Sequence, residues 1–376
     1  MKKIETFTLG FTFKCNLNCK YCYEAQYMKS ERKKEEFTFN ELAEYVIPAM
    51  KKIKPRDLDI DGGEPILRWD DLLKFIETSF NEVKSIELVN ICSNGIALTN
   101  DKIIKLQKLV SNSGKTLTFN ISADTLDPNL DLRTTKIELH KKEWDAILRL
   151  KKLKIPFIAA CTINKQNIET MESYLNWFKR EKIYVGITPV TFPDPENHKD
   201  VLLSIKQMQK VDQLRVNWVL DPILTPDQTP NPVNPKIWKK KIEPNLRFLG
   251  LNSLFGCPAF TYALTVRANG DVKGCAMQHE VVGNLKHEDI ETILNKDYPK
   301  KIRNLEIEGK CGRCRYLEQC NGGCKTRAKM ETGSYLGGVN TCYYFTEKDT
   351  PHETEEHNTK ILKENLNKIQ EYLPNL

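Results

Sequence analysis

Over roughly its first 220 residues the chain alternates a short β-rich run with a helical stretch six times, and this constrains the fold more than any other feature. ETFTLGFTF (5–13), DLDI (57–60), SIELVNIC (85–92), KTLTFNIS (115–122), IPFIAACTI (155–163) and IYVGITPV (183–190) read as strands. Helices are expected from a cap at Asn40 to about Lys52, from Trp69, from near Asn100, from Glu138 to Leu153, from Gln166 to Arg180 and from Ser204 to Leu220. Strands that each hand over to a helix lie parallel, because the helix must carry the chain back to the starting edge. The expected fold class is therefore α/β, a partial (βα)6 barrel of the TIM-like kind over residues 1–220. Chemistry in such sheets gathers at the C-terminal strand ends. Every run named here finishes in a polar, Gly-rich or Cys-rich stretch.

The pattern then changes. DPILTPDQTPNPVNPK (221–236) holds five prolines and reads, within 221–250, as an irregular connector. From 251 to 346 come cysteines, glycines and short strands, including a hairpin over 261–275 in which Asn269-Gly270 supplies the positive φ values of a tight turn. In 347–376, Ile361, Leu362, Leu366, Ile369 and Leu373 recur at helical spacing and predict an amphipathic C-terminal helix. Lysines and glutamates are interleaved, the net charge is +7 over 376 residues, and no basic stripe carries aromatics, so nucleic acid is not the expected partner. No apolar run approaches the ~18 residues of a membrane span, and the N-terminus lacks a secretory pattern, so a cytoplasmic protein is expected.

Twelve cysteines are anomalous in a long chain of this kind, and ten of them form two groups, 15–22 and 257–342. Cys15, Cys19 and Cys22 are spaced C-x3-C-x2-C behind the first strand. Iron–sulfur clusters and structural zinc both ordinarily take four ligands. Three thiols either leave one iron open to a small molecule or hold a zinc completed by a distant residue. Gly62-Gly63-Glu64-Pro65 follows the second strand; two glycines let backbone approach a ligand closely, and a carboxylate accepts from an ammonium group.

This C-x3-C-x2-C motif, with Tyr21 before its third cysteine and GGEP behind the next strand, resembles the radical S-adenosylmethionine (radical SAM) superfamily. The resemblance implies a 4Fe-4S cluster on Cys15, Cys19 and Cys22 whose unique iron is chelated by S-adenosylmethionine, with one electron releasing a 5′-deoxyadenosyl radical. It implies that Tyr21, Gly62, Gly63 and Glu64 lie at the S-adenosylmethionine site, with Glu64 on the methionine amino group. Ser93 and Asn94 would face the cofactor, Ser122 and Asp124 the ribose, Arg133 the methionine carboxylate and Ile163 the adenine.

The downstream order C-x12-G-x4-C (Cys257, Gly270, Cys275), C-x2-C-x5-C-x3-C (Cys311, Cys314, Cys320, Cys324) and a final Cys342 resembles the SPASM domain, with a double zinc ribbon as the plain alternative. The SPASM resemblance implies two auxiliary 4Fe-4S clusters, and hence three clusters in all. Cys311, Cys314, Cys320 and Cys342 would ligate the outer one; Cys257, Cys275 and Cys324 would hold the inner one with one iron open. Cys92 and Cys161 stand outside both groups and read as core, Cys161 being the better candidate for a hydrogen-atom donor.

SPASM relatives mostly modify peptides or proteins. The first expectation is a maturase that cross-links a ribosomally made peptide through C–C, C–S or C–O bonds, served by a reductant such as flavodoxin or ferredoxin. With the first cysteine at position 15, leader binding would fall to the body of the protein or to a separate protein. A formylglycine-forming dehydrogenase is a second reading, weakened by Ala276-Met277 where an Asp commonly follows the hairpin cysteine. A peptide epimerase and a zinc-stapled binding module are the others.

Overall fold

The computed structural model describes residues 4–28, 30–192, 195–219, 257–314 and 317–339. The expected connector, Cys342 and the C-terminal helix lie outside them. The chain divides into two compact units, Met1–Ala160 with Pro258–Glu306, and Cys161–Cys257 with Ile307–Leu376.

The first unit is built on a sheet of β1 (Thr6–Thr12), β2 (Asp57–Gly62), β3 (Leu88–Ser93), β4 (Thr116–Ser122) and the start of β5 (Phe157–Ile163), each parallel to the next. Helices α1 (Ile47–Ile53), α2 (Trp69–Glu82), α3 (Asn100–Asn112) and α4 (Ile137–Lys152) make the crossovers. The sheet is not closed, so the α/β partial-barrel expectation holds. The approach to α1 differs from its sequence reading. Thr38, not Asn40, is the cap: its hydroxyl accepts from Glu41 N–H, and Glu41 accepts in return from Thr38 N–H at 2.8 Å. A π-helical turn (Leu42–Val46) then precedes α1, where Pro48 has no N–H to donate.

Side chains alternate across each strand, and the two faces differ in kind. One carries Phe7, Leu9, Phe11, Leu58, Ile60, Val89, Ile91, Phe119 and Ile121, all essentially inaccessible. Phe11 meets Phe75 of α2 at a ring-centroid separation of 5.8 Å, so this is the helix-covered face. The opposite face carries Thr8, Asp59, Asn90 and Thr118 in one register row, then Gly10 and Asp61 in the next, continued by Cys92 and Asn120. Barrel interiors that serve only as core are filled by branched apolar side chains. A polar interior row instead leaves hydrogen-bonding groups for a ligand.

β7 (Ala263–Val266), the first strand of the expected hairpin, lies parallel to β1 on its free side and extends the same sheet. β8 (Asp271–Lys273) and β9 (Gly283–Asn284) continue it antiparallel. The hairpin turn corrects the expectation of two positive-φ residues: Gly270 alone is left-handed, at φ 92°. Asn269 braces the turn with its side chain, its Nδ2 donating to Asp271 Oδ2 at 3.1 Å.

In the second unit, β5 ends at Ile163, β6 is Val185–Pro189, and helices α5 (Met171–Glu181) and α6 (Ile205–Val219) follow the predicted order. α5 starts later than Gln166 because a 3-10 turn, Ile168–Thr170, comes first. A last helix, α7 (Lys325–Thr332), follows Cys324.

Candidate active site

β1 delivers the first cysteine loop to the end of the sheet. Glu36 accepts from Thr12 Oγ1 at 2.9 Å and from Phe13 N–H at 2.7 Å, and Arg68 bonds both Glu36 (3.0 Å) and Phe11 O (3.2 Å). The loop entrance is thereby pinned to the β2–α2 connection. Cys15, Cys19 and Cys22 are all partly accessible. Cys22 N–H donates to Cys19 O at 3.2 Å. Burial, with the neighbouring Cys22 sulfur adding to it, pushes the Cys19 thiol well up. Three soft donors converging in one partly open loop fit a thiolate-bound iron–sulfur cluster, which would stabilise the thiolates that burial alone disfavours.

Gly62 and Gly63 serve packing in the first place. Gly63 N–H donates to Thr12 O and Glu64 N–H to Lys14 O, each at 2.7 Å. A Cβ on Gly63 would stand 2.2 Å from Lys14 O, and one on Gly62 (φ 122°) 2.5 Å from Thr12 O. This brings Glu64 behind the cysteine loop, fully buried. There it accepts from Asn94 N–H (2.8 Å), Ser93 Oγ (2.9 Å) and Ile66 N–H (3.2 Å). Burial pushes its carboxyl up to about 7, against those three donors. Asn94 Nδ2 donates to Asn16 Oδ1 at 2.7 Å, which ties the end of β3 to the cysteine loop. Glu64, Ser93 and Asn94 thus form one group at adjacent strand ends.

Tyr21, Asp124 and Arg133 form another. The Tyr21 hydroxyl donates to Asp124, and Lys20 N–H donates to Leu132 O at 3.0 Å. Arg133 is 3% exposed, which excludes a surface pair; it bonds Asp131 (2.9 Å), contacts Glu143 (2.7 Å) and lies 3.7 Å from Asp124. His140 Nδ1 is 2.9 Å from Asp131. Asp131, His140 and Glu143 would suit a metal ion by proximity, but the Arg133 guanidinium already supplies the cation among them. Ser122 ends β4 beside Ala160, and Ile163 is fully buried in the second unit.

The polar interior row holds residues that motif reading passed over. Asp61, the residue before GGEP, accepts from Tyr23 at 3.4 Å through Oδ2, while its buried Oδ1 has no hydrogen-bond partner among the described residues. Burial pushes its carboxyl up to about 6, against the Tyr23 hydrogen bond and the charge of Lys273. Arg267 and Lys273, both fully buried, arrive from the hairpin. Arg267 runs over Gly10, where a Cβ would lie 3.5 Å from its Cζ, and forms an ion pair with buried Glu24. Lys273 Nζ donates to Tyr27 Oη at 3.3 Å, and burial, reinforced by Arg267, brings it down to about 7. Cys92 sits in this row with Asn90 Nδ2 3.9 Å from its sulfur, whereas the Cys161 sulfur is 3.9 Å from Met171 Sδ of α5. Strict alternation in DLDIDG and LVNICS was the signal that could have singled out Asp61 and Cys92.

Of the downstream cysteines, Cys275 belongs to the first unit. Cys257, Cys311, Cys314, Cys320 and Cys324 belong to the second. Cys257 N–H donates to Cys320 O at 3.2 Å, and Asn321 Nδ2 donates to Cys257 O at 3.0 Å. Val339 N–H donates to Cys311 Sγ at 3.3 Å.

Residues 9–178 match the model of the radical SAM superfamily, and residues 257–322 match SPASM, described as an iron-sulfur cluster-binding domain. The chain belongs to the radical SAM superfamily. More narrowly, it is a radical SAM enzyme carrying a SPASM domain. It is 25% identical to the AdoMet-dependent heme synthase of Methanosarcina barkeri, over 88% of this chain and 93% of the relative. To a probable GTP 3′,8-cyclase of Methanococcus maripaludis it is 32% identical over 171 residues, which span about half (53%) of the cyclase. Among solved structures, native anSMEcpe with bound AdoMet and Kp18Cys peptide matches with a TM-score of 0.67 at 16% identity, over 96% of this chain and 99% of that one. Streptococcus suis SuiB bound to precursor peptide SuiA matches at 0.61 and 15%, over 91% and 76%. At such identities the likeness is one of fold.

Proposed function

We propose that the chain is a peptide maturase that uses S-adenosylmethionine and three 4Fe-4S clusters to make an oxidative cross-link in a ribosomally synthesised peptide. S-adenosylmethionine on the cluster of Cys15, Cys19 and Cys22 supplies a 5′-deoxyadenosyl radical for removal of a substrate hydrogen atom. Glu64, held by Ser93 and Asn94, takes the methionine amino group, while Asp124 with Tyr21 and Ser122 borders the nucleoside. Arg133 takes the methionine carboxylate: its Nη2 is held by Asp131 and Glu143, while its buried Nη1 has no hydrogen-bond partner among the described residues. Cys257, Cys275 and Cys324 hold the inner auxiliary cluster and Cys311, Cys314, Cys320 and Cys342 the outer. Asp61 is the carboxylate available to take a proton from an oxidised substrate.

The observation that carries this reading is the polar interior row, in which Asp61, Asn120, Arg267 and Lys273 offer donors and acceptors suited to peptide amides. The fold likeness to two enzymes solved with peptides supports it. Reductant with S-adenosylmethionine is expected to yield 5′-deoxyadenosine, and the triple variant C15A/C19A/C22A none; persistent cleavage by that variant would refute the assignment. A candidate peptide co-expressed with the enzyme should lose two hydrogens. A second reading, modification of a carboxylate-bearing tetrapyrrole, is favoured by the length of the match to the heme synthase and by the buried Arg267–Lys273 pair. Appearance of heme absorption from an iron-porphyrin carboxylate would decide for it.

A further inference from the structure

Lys325 stands first in α7, directly after Cys324, and its side chain is fully buried. Its Nζ has no hydrogen-bond partner among the described residues. The turn before it makes the room. Asn321, Gly322 and Gly323 are all left-handed (φ 53°, 72° and 74°), and a Cβ on Gly322 would stand 2.8 Å from the Lys325 ammonium and 2.9 Å from Ile307. Only glycine fits there, for reasons of both backbone and space. The same turn binds Cys320 to Cys257 through the Cys257 N–H and through Asn321. Ile307, beside that ammonium, packs in one cluster with Cys311. Burial works to bring the ammonium's pKa down, and the sulfurs of Cys257, Cys320, Cys311 and Cys324 oppose it. Glu331, a carboxylate of the same helix, is engaged by Arg327 at 3.1 Å.

A buried cation without a carboxylate costs several kcal/mol unless other anions compensate it. Among the described residues the available anions are cysteine sulfurs, and they belong to both auxiliary sets: Cys257 and Cys324 to the inner, Cys311 and Cys320 to the outer. We propose that Lys325 is a shared counter-charge of the two auxiliary clusters, placed to raise the reduction potential of both. A fixed positive charge in a low-dielectric surround favours the more negative, reduced form of each neighbouring cluster. The one electron that a substrate radical gives up, with a proton, as its new bond closes would then meet two acceptors tuned together by one residue. This rests on the assignment of two auxiliary clusters made above.

The test is an EPR-monitored redox titration of the full-length, anaerobically reconstituted C15A/C19A/C22A protein, in which only auxiliary signals remain, with iron measured per chain. Lys325→Met removes the charge at nearly constant volume, Lys325→Gln removes it while keeping a polar head, and Lys325→Arg keeps it. Both auxiliary couples should move to lower potential in the Met and Gln variants and stay near the parent value in the Arg variant. Loss of auxiliary iron in Met and Gln but not in Arg would likewise show that the charge is what the clusters require. Unchanged potentials in Lys325→Met, a shift confined to one couple, or equal loss of iron in all three variants would overturn the proposal. A single couple in the parent protein would instead overturn the two-cluster assignment, and the sharing with it.

Discussion

Arg133 serves two carboxylates that end in opposite states. Asp131 accepts from the Arg133 backbone N–H (2.9 Å), from Nε (3.0 Å) and Nη2 (2.9 Å), and faces His140. Burial works to raise its carboxyl, but His140 and Arg133 together hold it down at about 2. Glu143 meets the guanidinium at 2.7 Å, and burial, with the charges of Asp131 and Asp124 adding to it, pushes it up to about 8. The consequences for stability run in opposite directions. Asp131 contributes stability above its unfolded value of 3.8 that is lost as pH falls through 2. Glu143 favours the fold below its unfolded value of 4.5, and that contribution is lost as pH rises through 8. Glu143→Gln, a neutral isostere, should therefore raise the melting temperature of the cluster-free protein at pH 8.5 by roughly 2–6 °C. The gain should shrink toward pH 5. A gain that is flat or grows toward acid would contradict a disfavoured Glu143 carboxylate.

At the level of elements, the GGEP loop is shaped by β1 before it meets any ligand. The sequence suggested that the glycines exist for close approach to a cofactor, yet the nearest atoms to their missing Cβ atoms are Thr12 O and Lys14 O. Such an approach depends on strand register, which a single stretch of sequence does not contain. Gly63→Ala is expected to cost more than 3 kcal/mol in urea unfolding, because backbone on β1 must give way. Gly114→Ala, at φ 70° but with nothing among the described residues within 4 Å of its Cβ, should cost only about 1 kcal/mol of conformational strain. Equal costs would mean that β1 does not constrain the loop. The same logic separates the two isolated cysteines. Both lie on strands, but Cys92 falls on the polar face and Cys161 on the face toward α5.

For the molecule as a whole, what was legible in the sequence follows what is local. Six strand–helix alternations, the cysteine loop and GGEP are short-range patterns, and the elements lie within a few residues of where periodicity puts them. The partners of Arg267 were not legible, since β7 joins β1 across some 250 residues of chain and nothing local in TYALTVRANG announces a parallel neighbour. That pairing makes the hairpin part of the first unit's sheet. Phe37 N–H donates to Ala268 O at 2.7 Å, Lys286 bonds Glu41 at 2.7 Å, and Glu24 is neutralised by Arg267 alone among the described residues. A chain cut after Gly256 would bare the β1 edge and leave Glu24 buried without its cation, a loss of about 3–5 kcal/mol from the ion pair alone. Residues 1–256 should accordingly be insoluble or melt without cooperativity, even though every S-adenosylmethionine residue named above is present. Adding back a separately expressed 257–376 segment during refolding should restore a cooperative transition. A truncated chain that unfolds cooperatively near the full-length melting temperature would show that β7 is an accessory to this sheet and not one of its structural strands.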